Sequence, residues 1–122
     1  MVSPALLFVS SRISFPELTD EVYNKWYDST HVVDVLESGI ADLALRYKNV
    51  DPKAKKTYLT VYRVPNVSYL QDQARKDRIP CTSPMLPGSG NFNDFVEMDV
   101  KAFVPIQTFE GQENKNGEHW RD

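Results

Sequence analysis

Two alternating segments joined by a very short link constrain this chain more than any other feature. In residues 41–50, Leu43, Leu45 and Tyr47 alternate with Ala44, Arg46 and Lys48; in residues 56–64, Tyr58, Thr60 and Tyr62 alternate with Leu59, Val61 and Arg63. A period of two is the signature of a strand. The polar link between them contains Pro52 and is far too short for a crossover, so the pair must form an antiparallel hairpin. The basic residues Lys53, Lys55 and Lys56 fall on this link and read as a solvated turn.

The remaining elements arrange themselves around that hairpin. Residues 5–13 form an apolar stretch of strand length, broken by Phe15-Pro16. Thr19 then stands where a helix cap is needed, with Asp20 and Glu21 in the first turn, where the helix dipole favours anions. This predicts a helix to Ser38, with Gly39 at its C-terminal turn. After the hairpin, Asn66 or Ser68 can cap a second, shorter helix through about Lys76, and residues 92–109 regain strand character with Pro105 as a bend or edge position. Residues 78–91 hold three prolines and two glycines and read as a long loop of the kind that often carries function.

The order β-α-β-β-α-β is the ferredoxin-like, split-βαβ arrangement: an α+β fold with both helices on one face of a four-stranded antiparallel sheet. A single domain over residues 1–109 and a polar tail over 110–122 are expected. The second sheet face carries apolar and aromatic side chains, and a face of that size is seldom left in water. Sheet-to-sheet packing of two copies, a homodimer, is therefore expected, with Trp120 of the tail available to dock on the partner subunit.

Composition narrows the partners. A formal net charge of −3, with no concentrated basic surface, argues against nucleic acid. The lone cysteine, Cys81, excludes an internal disulfide and any multi-cysteine metal site, and reads as a packed or inert thiol in a reducing compartment. No run of residues approaches the length needed to span a bilayer, and the N-terminal apolar run lacks the basic region of a signal peptide. The expectation is a cytoplasmic protein that engages no membrane.

The first helix carries the most informative pattern. Val22, Trp26, Val33 and Leu36 fall on one stripe, the expected buried seam. Beside it, Tyr23, Tyr27, His31 and Asp34 follow at i, i+4, i+8 and i+11. Two phenols, an imidazole and a carboxylate in one stripe are unusual for a purely solvated face. Near neutral pH an imidazole can take a proton and return it, which makes His31 the candidate general base and acid. Asp34 is placed to orient it, and Tyr27, one turn earlier, to donate to a carbonyl or developing enolate. Tyr23, Trp26, Arg46 and Tyr62 are the candidate substrate-binding residues. The other histidine, His119, sits in the charged tail.

The segment Asn24-Lys25-Trp26-Tyr27-Asp28-Ser29-Thr30-His31-Val32-Val33-Asp34, continued by Ala44-Leu45-Arg46-Tyr47-Lys48, resembles the EthD-like, dimeric α/β-barrel proteins of filamentous fungi. In those proteins a W-Y-x-x-x-H-x-x-D helix precedes an A-x-R-Y strand. Tyr58-Leu59-Thr60-Val61-Tyr62 and Ile79-Pro80-Cys81-Thr82-Ser83-Pro84 agree as well. The resemblance implies a range of activities: cofactor-free monooxygenases acting on aromatic polyketides, polyketide cyclases, lactone isomerases, dehalogenases and haem-degrading enzymes. In several of these a histidine near the end of the first helix faces the pocket and moves protons, and His31 matches it.

Absent motifs complete the reading. There is no phosphate-binding glycine loop, since Leu86-Pro87-Gly88-Ser89-Gly90 has the wrong spacing and no following Lys-Ser/Thr. Neither paired histidines for a catalytic metal nor a G-x-S-x-G elbow occurs. Cofactor-free and metal-free proton chemistry on a fairly apolar substrate is what remains. The resemblance, many of whose fungal members belong to natural-product pathways, implies a tailoring enzyme acting on a hydrophobic small molecule of polyketide or terpenoid type, with cyclisation or isomerisation the expected reaction. The alternatives are a cofactor-free monooxygenase and a non-catalytic small-molecule-binding or stress-response dimer.

Overall fold

A computed structural model of the chain describes residues 2–112. Its elements are β1 (Ala5–Ile13), α1 (Asp20–Trp26), a π-helical turn (Tyr27–His31), α2 (Val32–Glu37), β2 (Leu43–Lys48), β3 (Tyr58–Val64), a 3₁₀ turn (Val67–Gln71), α3 (Gln73–Lys76), a 3₁₀ turn (Phe92–Asp94) and β4 (Val96–Phe103). The sheet order is β2-β3-β1-β4, antiparallel at every junction. This is the expected α+β, ferredoxin-like fold, and the hairpin pairs Leu43 with Arg63 through Lys48 with Tyr58.

Register separates the two sheet faces. Ala5, Val9 and Ser11 of β1, Tyr58, Thr60, Tyr62 and Val64 of β3, and Val96 of β4 are buried beneath the helical segments. On the opposite face Leu6, Leu43, Leu45, Tyr47 and Phe103 are exposed. Phe8 packs edge-on against Phe103 there, with ring centroids 5.3 Å apart. Towards one end this open face turns polar, with Arg12 forked onto Glu97 and Lys56 paired with Asp99.

The helix begins as expected: Thr19 Oγ1 accepts from the Val22 amide at 3.2 Å, and Gly39 ends it at φ +83°. Its buried face is not the expected one. Val22 and Val33 are exposed, while Tyr23, Trp26 and Tyr27 are buried almost completely. Area decides this: burying an aromatic ring is worth at most about 4–6 kcal/mol, against roughly 2 kcal/mol for a valine. Three rings at positions 23, 26 and 27 therefore outweigh two valines. They join Leu18, Tyr58, Leu86, Phe95 and Val96 in the main core cluster.

Three further expectations need correction. The second helix is not continuous, because Asp72 adopts an extended backbone and accepts from the amides of Ala74 and Arg75, which restarts it as α3. Cys81 is exposed rather than packed. Strand character ends at Phe103, short of the expected 109: residues 104–112 are exposed and lack regular structure, while His119 and Trp120 lie outside the described residues. Among the described residues no helix is long and apolar enough to cross a membrane.

Candidate active site

The π turn determines which residues face the interior. The Val32 amide donates to the Tyr27 carbonyl, five residues back, so one extra residue is accommodated in the helix. Such bulges frequently mark functional sites. Every downstream side chain rotates by about one residue's worth of turn, roughly 100°. Val35 thereby takes the angular position that an uninterrupted helix would give Asp34. The interior stripe becomes Tyr23, Tyr27, His31 and Val35, all buried, and Asp34 is turned toward the surface and only half-buried.

Between this stripe and the sheet lies a cavity of about 580 Å³. Tyr27, His31, Val35 and Ile40 form one wall, and Leu7, Val9, Tyr62, Met98, Val100 and Ala102 form the sheet floor. Leu70, Lys76 and Ile79 line a third side, with Phe92 and Asn93 beside them. The lining is mainly apolar. Its polar groups are the hydroxyls of Tyr27 and Tyr62, the His31 imidazole, Asn93 and Lys76.

His31 is 8% exposed and held in an aromatic box. Trp26 stacks on it at 4.9 Å between centroids and 23° between planes, while Tyr27 and Phe92 meet it edge-on at 5.0 and 5.2 Å. Its Nδ1 is buried without a hydrogen-bond partner. Burial, and secondarily the positive charge of Arg46, push its pKa down to about 4 from 6.5. The imidazole is consequently neutral at physiological pH, with one ring nitrogen lacking the partner that a buried polar atom normally has.

The two phenols converge near it. Tyr62 Oη donates to Tyr27 Oη over a long 3.5 Å, and burial raises the pKa of the Tyr62 hydroxyl, so it stays protonated and able to donate. Arg46 sits behind Tyr27, its guanidinium 4.2 Å from the ring centroid, and is fixed by Asn24 at 3.0 Å and Asp28 at 2.8 Å. A cation over the ring face holds the phenol in place and polarises it.

Of the residues singled out from sequence, the fold brings His31, Tyr27 and Tyr62 together on the cavity. Tyr23, Trp26 and Arg46 form a layer behind them and do not line it. Tyr23 is spent on Ser11 at 2.5 Å, and Trp26 supports the imidazole. Asp34 makes no hydrogen bond to His31, because the π turn rotates it away. The 78–91 loop contributes only Ile79 to the lining. The rest of it packs against the aromatic core through Leu86, with Met85 Sδ accepting from Thr30 Oγ1 at 3.3 Å. Sequence reading missed Val35, Leu70, Lys76, Asn93 and the β4 floor. The alternation in β4 held the only available signal for Met98, Val100 and Ala102.

No family model matches the sequence. The chain is 31% identical over 114 residues to Core atranone cluster (CAC) protein 1 of Stachybotrys chlorohalonatus; the match covers 93% of this chain and 49% of that protein, so the chain spans about half the length of this relative. Among solved structures it is similar to a proposed monooxygenase from Shewanella loihica PV-4, with a TM-score of 0.60, 15% identity, and coverage of 88% of this chain and 99% of that one. At that identity the likeness establishes shared architecture, the ferredoxin-like sheet with its helices on one face.

Proposed function

We propose that this chain is a cofactor-independent tailoring enzyme of natural-product biosynthesis, catalysing a cyclisation or isomerisation of an apolar substrate through His31. The observation that carries this reading is the orphaned, neutral imidazole in the wall of an apolar cavity, beside two phenol hydroxyls. In the proposed reaction His31 removes an acidic C–H or O–H proton, Tyr27 and Tyr62 donate to the oxygen on which charge develops, and the imidazolium returns the proton. A free imidazole with a pKa of about 4 is a weak base. The negative charge that develops beside it during proton transfer favours the imidazolium and narrows that gap. The relative's name, with its reference to a core atranone cluster, supports a place in such biosynthesis.

A second reading, a cofactor-free oxygenase, draws support from the Shewanella neighbour's assignment. In that reading His31 would deprotonate a phenol or enol before it meets oxygen. We further propose that the open sheet face, with Leu6, Leu43, Leu45, Tyr47 and Phe103 exposed, is buried in a homodimer.

The test is metabolite profiling of the source organism with the gene deleted, beside a strain carrying only His31→Ala. Accumulation of one unprocessed precursor in both strains is the expected result, and the precursor's structure separates cyclisation from oxygenation. A deletion phenotype that His31→Ala does not reproduce would remove His31 from the chemistry and favour a binding protein.

A further inference from the structure

Burial gives the cavity a direction. His31, Tyr27, Tyr62 and Val35 are enclosed, whereas Lys76 and Asn93, together with Val100 and Ala102 of β4, are exposed on the same lining. The cavity therefore has an enclosed side with His31, Tyr27 and Tyr62, and an open side where Lys76 and Asn93 are the polar residues beside Val100 and Ala102. Lys76 stands apart from the other charged groups around it. Among the described residues it has no ion-pair partner, while Asp72 is held by Arg75, Asp77 accepts from Gln73, and Asp94 accepts from Ser89. None of these three carboxylates lines the cavity, and Asp72 is neutralised by its own ion pair, whereas Asp77 and Asp94 keep their charge. Arg75 is turned away as well, since it bonds to the Gly39 carbonyl and lies over the Tyr69 ring.

We propose that the ligand is an apolar small molecule carrying one carboxylate or comparably acidic group, bound with that group at Lys76 and Asn93 and its reactive carbonyl end at Tyr27, Tyr62 and His31. The inference rests on the reading of this cavity as the substrate site. Physical chemistry sets both halves of it. An apolar wall of this extent rejects a polar body, because desolvated polar groups would go unpaired. An unpaired ammonium at the mouth gains from an anion while remaining hydrated enough to carry its own charge cheaply. Lys76 acts in this scheme as an orienting and specificity-determining residue, remote from the reacting atoms, and selects which end of the ligand enters first.

The experiment uses two fluorescent probes of similar shape: anilinonaphthalene sulfonate, which is anionic, and N-phenylnaphthylamine, which is not. Titrations are run on the wild-type chain, Lys76→Met, Lys76→Arg, and Ala102→Trp, which fills the cavity from the edge strand; circular dichroism verifies folding. Lys76→Met should weaken the anionic probe about fivefold at low salt and change the neutral probe less than twofold, as expected for one solvent-accessible ion pair. Lys76→Arg should retain the wild-type preference, and raised salt should erase it. Ala102→Trp should weaken both probes. If Ala102→Trp blocks both probes but Lys76→Met moves neither, or moves both equally, the assignment of Lys76 is overturned and the cavity reading survives. If Ala102→Trp leaves both probes bound as before, the probes sit elsewhere and the cavity reading itself fails.

Discussion

Burial of His31 without a hydrogen-bond partner ties the stability of the fold to pH. In the unfolded chain the imidazole titrates near 6.5; in the folded chain it is held at about 4. As pH falls from 6.5 toward 4, the unfolded state binds a proton that the folded state refuses. Stability is therefore full above 6.5 and is lost across that interval. Because the side chain is 8% exposed, little solvent screening intervenes. Linkage between those two pKa values gives a loss of about 2 kcal/mol between pH 7 and pH 5, rising to ~3 kcal/mol by pH 4. The assay is urea unfolding of the wild type and of His31→Phe at pH 7 and pH 5. Carboxylates titrate alike in both proteins, so the difference between their pH slopes isolates the imidazole. The wild type should lose about 2 kcal/mol more than the variant over this interval. Slopes that agree within about 0.5 kcal/mol would refute the reasoning, since they would mean that the buried imidazole takes up its proton without resistance from the aromatic box.

Three further outcomes are expected. Tyr27→Phe should lower turnover on the precursor about 100-fold with little change in stability, measured by steady-state kinetics beside thermal melts, because the hydroxyl it removes makes only a 3.5 Å contact in the free protein. Gly39→Ala should cost about 1–2 kcal/mol in chemical denaturation: its φ of +83° disfavours any Cβ, and the added atom would run into the Arg75 guanidinium that caps α2. Leu45→Glu, in the middle of the exposed edge strand β2, should shift the proposed dimer to monomer in light scattering while leaving the circular dichroism spectrum unchanged; an unaltered mass would move the interface away from this face.

The fold was legible because its signals are local. Alternation in β2 and β3 set their faces, the short link made them a hairpin, and Thr19 and Gly39 bounded the helical segment at positions the backbone respects. His31, Tyr27 and Tyr62 could be named as candidates because an imidazole and phenols at helical and strand spacing are chemically conspicuous. What failed was the helix face. A period of 3.6 carried through residues 27–31 places Asp34 beside His31, and no property of Tyr-Asp-Ser-Thr-His announces that the helix will take up an extra residue there. That adjustment reflects packing: it lets Tyr27, His31 and Val35 all turn inward against the sheet, a gain the local sequence cannot express.

The same division governs the rest of the molecule. Sequence alone determined the order of elements, the antiparallel pairing and the presence of one conspicuous histidine, since each follows from steric rules acting over a few residues. Tertiary structure alone decided that the imidazole is neutral and unpartnered, that Arg46 polarises Tyr27 from behind instead of lining the cavity, and that Lys76 stands at the mouth. Those properties depend on dielectric surroundings and on contacts between residues far apart in the chain, and both exist only once the helical segments have closed over the sheet.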